Sequence, residues 1–391
     1  MNEIFDGIQA LNLQEQQQSR RSVSININLA AIRQNLATAR RITGGARVFA
    51  TIKADAYGHG AVPVAHALSP TICQYDIARE GNSPACKGEI ADGFAVVSVD
   101  EALELRHSGI VQPILVLQGP QSPDACELMH QENLWPVIHD LEQYEWYRQL
   151  NLKQSLSAWL KVDTGMGRLG VSIEDANRIL HTDDGVNWIG LMTHFACADE
   201  PNNPFTEHQL SKFNEVNIRA GMFKSLANSA ATLAWPKTHQ DWVRPGVMLY
   251  GCNPLDGKLP EGVNLVPAMN VEAPLISAKI LSAGAGVGYA QSWHCPVAMP
   301  VGYVALGYRD GLPRVLDKNA TVSINGQLCP IIGRVSMDSI AIDLRGVSNI
   351  KPGAHAQFWG AAADIDQLAK AAATINYELL TSIRGCRQYT D

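Results

Sequence analysis

Residues 48–53 read VFATIK, a short apolar run that ends in a lysine. Similar runs, rich in Val, Ile and Leu, recur along the chain, as expected of strands that are buried on both faces. Segments with helical spacing separate most of them. Eight such strands alternating with helices predict an α/β fold, a (β/α)8 TIM-type barrel. The other seven runs lie near residues 93–97, 113–117, 134–138, 157–162, 188–194, 223–227 and 243–250.

A doubly wound open sheet is the alternative architecture, and it needs a glycine-rich fingerprint after its first strand. The densest glycine cluster comprises Gly284, Gly286 and Gly288. It lacks G-x-G-x-x-G spacing and opens no periodic helix, so we interpret these glycines as turn residues.

The sequence on either side of the barrel pattern has a different character. Residues 1–21 form a polar leader, and residues 69–90 are too long for a normal connection, so we interpret them as a surface insertion. The barrel domain is assigned to 22–266, although the alternating strand at 22–29 is also compatible with the second domain. Residues 267–391 contain short β-rich segments and one helical stretch, 364–373, and predict a C-terminal all-β domain.

Two predicted helix starts have the capping-box pattern. In this pattern the side chains of the capping residue and of the residue three positions later each accept a hydrogen bond from the other's backbone N–H. Ser98 with Glu101 is the first pair, and Thr206 with Gln209 is the second.

Composition narrows the class of protein. The 391 residues carry a net charge of -7, and no run of Lys or Arg exceeds two, so no nucleic-acid partner is expected. The N-terminus lacks an apolar signal region and no window approaches a membrane span, which predicts a cytoplasmic protein. The eight cysteines show no metal-ligand spacing, so no metal is expected, and Cys73 with Cys86 is the one pair worth testing for a disulfide.

Polar residues follow five of the eight predicted strands. Because a β/α barrel builds its active site at the C-terminal ends of its strands, these residues are expected to meet there. They are Lys53, Lys161 with the following segment to Arg168, His194, Asn228 with Ser229, and Arg244 with Gly246.

Lys53 and a predicted phosphate site indicate the chemistry. Lys53 follows an apolar strand, so partial desolvation would lower its pKa and favour the nucleophilic amine. The loops after the seventh and eighth strands of such barrels commonly bind phosphate, and here they offer Ser229, Gly246 and Val247. A Schiff-base lysine facing a phosphate site suggests pyridoxal phosphate, with aldolase chemistry as the alternative.

Nine motifs follow one another between about residue 22 and the C-terminus: TIKADAYGHG, KVDTGMGRLG, THFACADEP, LANSAATLAWP, DWVRPGVMLYG, GVGYAQSW, VALGYRDGLPR, GRVSMDSIAIDL and INYELL. In this order they resemble the alanine racemase family. The resemblance implies a barrel that binds pyridoxal 5'-phosphate, a C-terminal β-domain, and a head-to-tail homodimer with shared active sites.

The same resemblance implies roles for individual residues. Lys53 would bind the cofactor as a Schiff base and act as one catalytic base, and Tyr289 of the partner subunit would be the other, on the opposite face of the substrate. His194 and Arg244 would link that tyrosine to the cofactor ring, with Arg244 facing the ring nitrogen. The cofactor-binding group would also include Tyr57, Asn228, Ser229, Gly246, Val247 and Tyr377.

Substrate recognition is implied by matching positions as well. Arg168 and the backbone N–H of the partner's Met337 would contact the substrate carboxylate, and Lys161 matches a lysine that is carbamylated in some relatives. The entrance and its support would comprise Asp199, Tyr308, Asp310, Arg314 and Asp338. Arg309 stands where relatives commonly carry a small residue, which leaves the charge of the entrance open.

The expected function is therefore interconversion of L- and D-alanine, supplying D-alanine for peptidoglycan. A racemase of serine or basic amino acids is an alternative that pocket size would decide. A non-catalytic pyridoxal phosphate carrier is an alternative of another class, but it would lack the β-domain and Tyr289. Amino-acid decarboxylases share the barrel and lysine, but the GVGYAQSW motif and Arg244 favour a racemase.

Overall fold

A computed structural model describes residues 23–70, 88–150, 157–183, 185–348, 350 and 354–391. The chain forms two compact units. One contains the described residues of 28–268 with 390–391, and the other contains residues 23–27 together with the described residues of 269–389. The polar leader at 1–21, Cys73, Cys86 and most of the 69–90 insertion lie outside the described residues.

The first unit is built around a closed barrel of eight parallel strands. Each strand pairs with the next along the chain, and the last pairs with the first through Arg47 with Trp242 and Val48 with Val243. The predicted β/α barrel is confirmed. Its strands are β2 (Arg47–Thr51), β3 (Gly93–Val96), β4 (Ile114–Val116), β5 (Trp135–Ile138), β6 (Ser157–Lys161), β7 (Asn187–Met192), β8 (Phe223–Ser225) and β9 (Trp242–Val243), and β1 (Ser24–Asn28) precedes them outside the barrel.

Helices precede the barrel and connect its strands. They are α1 (Leu29–Thr43), α2 (Ala61–Ala67), α3 (Val99–His107), α4 (Pro123–Gln131), α5 (Leu141–Gln149), α6 (Ile173–Leu180), α7 (Phe205–Phe213) and α8 (Ser229–Ala234), with 3-10 turns at Pro236–Thr238 and Val247–Tyr250. Their starts follow ordinary capping chemistry. For example, Asn28 accepts a hydrogen bond from Ala31 N–H at 2.9 Å and begins α1.

One predicted capping box is only half formed and the other is wrong. Ser98 does begin α3, because its hydroxyl accepts a hydrogen bond from Glu101 N–H at 3.3 Å, but the Glu101 carboxylate binds elsewhere. Helix α7 begins at Phe205, so Thr206 already lies inside it and is buried. The Gln209 side chain turns instead towards the loop after β7, where it accepts a hydrogen bond from Ala196 N–H.

Large apolar side chains fill the barrel interior. Phe49 stacks on Trp242 with ring centroids 3.9 Å apart, and it meets Trp159 edge-on at 5.8 Å. Gly190 on β7 makes room for this packing, since a side chain there would overlap the Trp159 ring. The barrel is thus a packed core, and its chemistry is confined to the strand ends.

The second unit is an antiparallel β structure, as predicted. Its strands are β10 (Met269–Leu281), β11 (Gly286–Val287), β12 (Trp293–His294), β13 (Met299–Val304), β14 (Thr321–Ile324), β15 (Gln327–Ile332), β16 (Ile340–Asp343), β17 (His355–Trp359) and β18 (Cys386–Thr390). The long strand β10 pairs with β17 along its first half and with β13 along its second, and the pairing with β13 contains a register shift between Leu275 and Ser277.

Strand β1 belongs to this antiparallel sheet rather than to the barrel. It pairs with β10, with Ile25 opposite Val271, and buries Ile25 and Ile27 while Asn28 is exposed. The alternation of SVSININL therefore reflects a sheet with one buried face.

The helical content of the second unit was underpredicted. The expected stretch at 364–373 forms α9 (Ile365–Ala371), and a further helix, α10 (Asn376–Ser382), follows it. Short 3-10 turns lie at Tyr289–Gln291 and Tyr308–Asp310. Among the described residues, no helix is long and apolar enough to cross a membrane, and no group of His, Cys, Asp and Glu is arranged to hold a metal ion.

Candidate active site

The barrel mouth, meaning the C-terminal ends of β2 to β9, collects the polar residues predicted there. Lys53 follows β2, Lys161 ends β6, His194 follows β7, and Arg244 follows β9. These groups are close enough to shift one another's pKa. Burial, followed by the charge of Arg244, lowers the pKa of both Lys161 and His194, and burial, followed by the charge of Arg168, lowers the pKa of Lys53.

The chain leaves β2 through a left-handed turn formed by residues 54–57. All four residues have φ between 52° and 53°, and none is a glycine. A left-handed conformation costs an L-residue about 1–2 kcal/mol, so a turn of four must be held by its surroundings.

Side-chain hydrogen bonds hold both ends of this left-handed turn. A Glu101 carboxylate oxygen accepts from Ala54 N–H at 2.8 Å, and Asp55 accepts from Ala61 N–H at 2.7 Å. The His59 ring nitrogen Nδ1 lies 3.0 Å from the carbonyl oxygens of Ala56 and Tyr57. His59 is fully buried and stacks on Tyr250, so it is part of the support of the turn.

The left-handed turn directs Tyr57 to the predicted phosphate site. The Tyr57 hydroxyl lies against Gly246, where any added side chain would overlap it. The Ser229 hydroxyl accepts a hydrogen bond from Gly246 N–H at 2.7 Å, and Val247 is fully buried beside them. Four predicted phosphate-binding residues are therefore brought together: Tyr57, Ser229, Gly246 and Val247.

Asn228 directly precedes Ser229 and acts as a helix cap. Its side chain accepts a hydrogen bond from Ala231 N–H at 2.9 Å and begins helix α8. It therefore fixes the position of Ser229, the first residue of that helix.

Arg244 is buried, and its side chain is anchored to the ends of the two preceding strands, β7 and β8. Its guanidinium donates to the Ser225 hydroxyl at 2.6 Å and to the carbonyl of Thr193 at 2.7 Å. One of its nitrogens also lies 3.3 Å from Nδ1 of His194. Burial lowers the pKa of Arg244 to about 10, so the guanidinium remains charged at neutral pH.

The contact with Arg244 fixes the protonation of His194. Arginine can only donate, so Nδ1 of His194 must accept, and its proton is carried by Nε2. Desolvation, followed by the charge of Arg244, lowers the pKa of His194 well below its usual range. His194 is thus a neutral imidazole with an N–H donor on the side away from Arg244.

Lys161 is buried at the end of β6, with 7% of its surface exposed. Burial, then the charges of Arg244 and Arg168, lowers its pKa to about 8. Asp163, two residues on, accepts hydrogen bonds from the N–H groups of Gly165 at 2.8 Å and Met166 at 2.9 Å. This carboxylate shapes the loop that carries Arg168, which is exposed.

Of the residues that support the site, Glu101 and Gln209 were predicted only as capping residues, and Asp163 was placed at the barrel mouth without a role. Glu101 and Asp163 hold backbone N–H groups beside Lys53 and Arg168. Gln209 is fully buried and donates to the carbonyl of His194 at 3.1 Å. Carboxylates and amides near the predicted strand ends were the available signal, but only the fold shows which backbone groups they reach.

The second unit carries the remaining predicted site residues apart from Asp199, several of them on neighbouring loops. Tyr308 N–H donates to Ser336 at 3.1 Å, and Arg309 N–H donates to the carbonyl of Met337 at 3.1 Å. The Asp310 carboxylate accepts from Gly307 N–H at 2.9 Å. These contacts, together with the Arg309–Asp338 ion pair, bring Tyr308, Asp310, Met337 and Asp338 together.

Tyr289 and Met337 are exposed on two different loops of this unit, at 67% and 51% of their surfaces. Tyr289 begins a 3-10 turn in which Ala290 has φ of 56°. Arg314 is also exposed and lines a groove of about 520 Å³ with Trp293 and Arg334. Tyr377 lies in helix α10 of the same unit.

Asp199 belongs to the first unit, in the loop after β7. It is exposed, and its carbonyl accepts a hydrogen bond from Asp256 N–H at 2.8 Å. Arg309 is ion-paired with Asp338 at 3.3 Å and with Asp310 at 3.9 Å. The positive charge of Arg309, at a position where relatives commonly carry a small residue, is thus offset by two neighbouring carboxylates.

Comparison with known proteins gives a consistent result along nearly the whole chain. The family model described as alanine racemase, N-terminal domain, matches residues 27–78 and 81–254, and that described as alanine racemase, C-terminal domain, matches residues 268–389. An alanine racemase of Thioalkalivibrio sulfidiphilus is 41% identical over 94% of this chain and 98% of its own length. One from Halorhodospira halophila is 41% identical over 92% of this chain and 94% of its own length.

Solved structures of alanine racemases also resemble this chain along nearly its whole length. The biosynthetic alanine racemase of Pseudomonas aeruginosa has a TM-score of 0.85 and 37% identity, covering 95% of this chain and 100% of that chain. An alanine racemase of Bartonella henselae, solved with covalently bound pyridoxal phosphate, has a TM-score of 0.82 and 26% identity with the same coverage.

Proposed function

The chain belongs to the alanine racemase family, and from this premise we propose that it interconverts L- and D-alanine with pyridoxal 5'-phosphate as its cofactor. It is a racemase and therefore an isomerase. The observation that carries the proposal is the placement of Lys53 directly before a left-handed turn whose last residue, Tyr57, lies against Gly246 beside Ser229, at the predicted phosphate site.

The residues of the barrel mouth fit this cofactor. Lys53 would hold it covalently, and Ser229, Gly246, Val247 and Tyr57 would bind its phosphate, since Gly246 allows a close approach and two hydroxyls lie beside it. When bound, the cofactor withdraws electrons from the substrate and weakens the bond between the α-carbon and its hydrogen. Tyr377 and Asn228 stay predictions, and the capping role of Asn228 supports an indirect contribution.

Arg244 would face the ring nitrogen of the cofactor. Its guanidinium keeps its proton at neutral pH, so it would donate a hydrogen bond without protonating that nitrogen. The electron withdrawal would therefore be moderate, and the proton would be returned to the α-carbon rather than to the cofactor.

Two bases on opposite faces of the α-carbon would carry the racemisation. Lys53 would be one, and burial followed by the charge of Arg168 lowers its pKa, which favours an amine able to accept a proton. Tyr289 of the partner subunit would be the other. A phenol is ordinarily a weak base, and the Nε2–H of His194 would stabilise its anion by donating a hydrogen bond.

The substrate carboxylate would be bound by Arg168 and by the backbone N–H of the partner's Met337. Lys161 would support Arg168 as a carbamate, because its low pKa leaves part of it as a neutral amine that attacks CO2 and releases one proton. A carbamate anion would also offset the charges of Arg168 and Arg244. A carbamate signal in carbon-13 NMR after exposure to labelled CO2, absent from Lys161→Met, is the expected result.

The exposure of Tyr289 and Met337 supports the head-to-tail homodimer, in which a second copy would cover these loops. Asp199, Tyr308, Asp310, Arg314 and Asp338 would then line or support the entrance. The biosynthetic role named for the Pseudomonas aeruginosa relative supports supply of D-alanine for peptidoglycan. The cytoplasmic location stays a prediction.

A racemisation panel over alanine, serine, lysine and arginine with added pyridoxal phosphate tests the function, with Lys53→Ala as the control. Turnover should be fastest with alanine and absent from the control. A preference for serine or a basic amino acid would favour the alternative specificity. Cofactor binding without turnover of any substrate would favour the carrier.

A further inference from the structure

Glu101 connects the ends of two neighbouring barrel strands. One oxygen of its carboxylate accepts a hydrogen bond from Ala54 N–H at 2.8 Å, and the other accepts from Val97 N–H at 2.6 Å. Ala54 directly follows Lys53, and Val97 directly follows β3. A single carboxylate therefore holds the chain at the point where it leaves each strand.

This arrangement is more than the capping of a helix. In a capping box, the Glu101 carboxylate would bind the N–H of Ser98, the residue that begins α3. The Ser98 hydroxyl performs its half of that task by accepting from Glu101 N–H at 3.3 Å. The Glu101 side chain instead spans from its own helix to the turn after Lys53.

The turn that Glu101 holds is the strained one. Ala54 is the first of the four residues with left-handed backbone, and its N–H would otherwise face solvent. Charge-assisted hydrogen bonds are among the stronger ones in proteins, so this contact opposes relaxation of the turn. Relaxation would move Lys53 at one end of the turn and Tyr57 at the other.

The negative charge of Glu101 also acts on Lys53, through its pKa. The titratable groups that face Lys53 from the neighbouring elements are the charged Arg168, Lys161 and Glu101 and the neutral His194. Burial and then Arg168 lower the pKa of Lys53, whereas Glu101 raises it. Glu101 therefore limits how far the other groups shift Lys53.

We propose that Glu101 is a positioning residue for Lys53, whose carboxylate fixes the start of the left-handed turn and the direction of the lysine amine. The inference rests on the proposed function only in taking Lys53 as the reactive lysine.

The test compares Glu101→Gln, Glu101→Asp and Glu104→Gln in the full-length chain. Glu104 lies one turn further along the same helix and is exposed, so it is the matched control. Two properties are measured without cofactor: hydrogen exchange of the Ala54 amide, and the pH profile of Lys53 labelling by an amine reagent, read by peptide mass spectrometry. The kcat and KM for alanine are then measured with cofactor.

In Glu101→Gln, the Ala54 amide should exchange at least tenfold faster, because one of the two hydrogen bonds loses its acceptor. The Lys53 labelling midpoint should move to lower pH, and kcat should fall about tenfold with little change in KM. Glu101→Asp keeps the charge but is too short to reach both N–H groups, so it should lose amide protection while retaining most of the labelling midpoint. Glu104→Gln should match the wild type.

Unchanged exchange and labelling in both Glu101 variants would overturn the positioning role, and Glu101→Asp keeps the test available if Glu101→Gln fails to fold. Failure of the proposed function is a separate outcome. It would appear in the wild type itself, as the absence of any borohydride-reducible cofactor adduct on Lys53.

Discussion

The barrel mouth and the loops of the second unit hold their proposed site residues in opposite ways. Arg244 and Lys161 are 5% and 7% exposed, and Arg244 donates to groups at the ends of two other strands. Tyr289 and Met337 are 67% and 51% exposed on loops. The barrel mouth, which we call the barrel half of the site, is therefore organised by its own packing. The loops of the second unit that carry Tyr289 and Met337, which we call the loop half, present these residues outward, as expected of residues that a second copy would cover.

The largest effect is expected from changing the loop half. Tyr289→Phe removes one hydroxyl and leaves the barrel mouth intact, so cofactor absorbance should persist while kcat falls by about 10²–10⁴. Tyr389→Phe, another exposed tyrosine of the same unit, is the matched control and should be as active as the wild type. Near-normal turnover by Tyr289→Phe would remove the tyrosine from the mechanism.

The next effect tests the phosphate site of the barrel half. Gly246→Ala places a methyl group against the Tyr57 hydroxyl, and Tyr57 is packed against Tyr250, so the overlap has no easy relief. Overpacking of about 1–3 kcal/mol would weaken cofactor binding roughly tenfold or more, measured as the Kd by absorbance titration.

Gly88→Ala is the control for Gly246→Ala, since its added methyl group would make only an ordinary contact with Ala37. Equal cofactor affinity in the two variants would place the phosphate elsewhere.

Much of the fold follows from the sequence because buried parallel strands are continuous apolar runs and β1 alternates strictly. The left-handed turn does not follow from it. Ala54 and Tyr57 have no intrinsic preference for positive φ. The turn is held by Glu101, which is distant in sequence, and by the buried His59, and sequence spacing reveals neither contact. Thr206 shows the same limit, since the pattern of a cap occurs inside a helix that Phe205 begins.

The site could be predicted only as far as strand ends indicate it. The grouping of Lys53, His194 and Arg244 follows from their positions after strands, because parallel strands end at one face. The protonation of His194 depends on its 3.3 Å contact with Arg244, which no spacing reveals.

The burial of Lys161 predicts a smaller effect, a dependence of the free energy of unfolding on pH. Its pKa is about 8 in the folded chain and 10.5 in a model lysine, so the unfolded chain binds more protons between these values. Stability should therefore rise as pH increases from 8 to 10.5 in CO2-free buffer, by on the order of 3 kcal/mol.

Lys161→Met should remove that rise, measured as the change in urea midpoint between the two ends of the pH range. Lys279→Met, a substitution in the second unit where Lys279 lies over the Tyr303 ring, is the control and should retain it. Parallel pH profiles for the wild type and Lys161→Met would show that Lys161 is not buried as described.

The smallest effect is expected at Arg309, whose side chain is 61% exposed while it pairs with Asp338 and Asp310. Exposed ion pairs contribute about 0–1 kcal/mol, so Arg309→Ala should change the melting temperature and the KM for alanine only slightly. A change of about tenfold or more in KM would show that Arg309 controls substrate entry.

A mixed dimer tests most directly whether one active site needs two chains. Lys53→Ala and Tyr289→Phe are each inactive by expectation, and they are unfolded, mixed in equal amounts and refolded together. Random pairing makes half of the dimers mixed, and each mixed dimer has one site with both bases, so about a quarter of wild-type activity should return. Full inactivity of a mixture in which mixed dimers are shown to form would contradict the shared site.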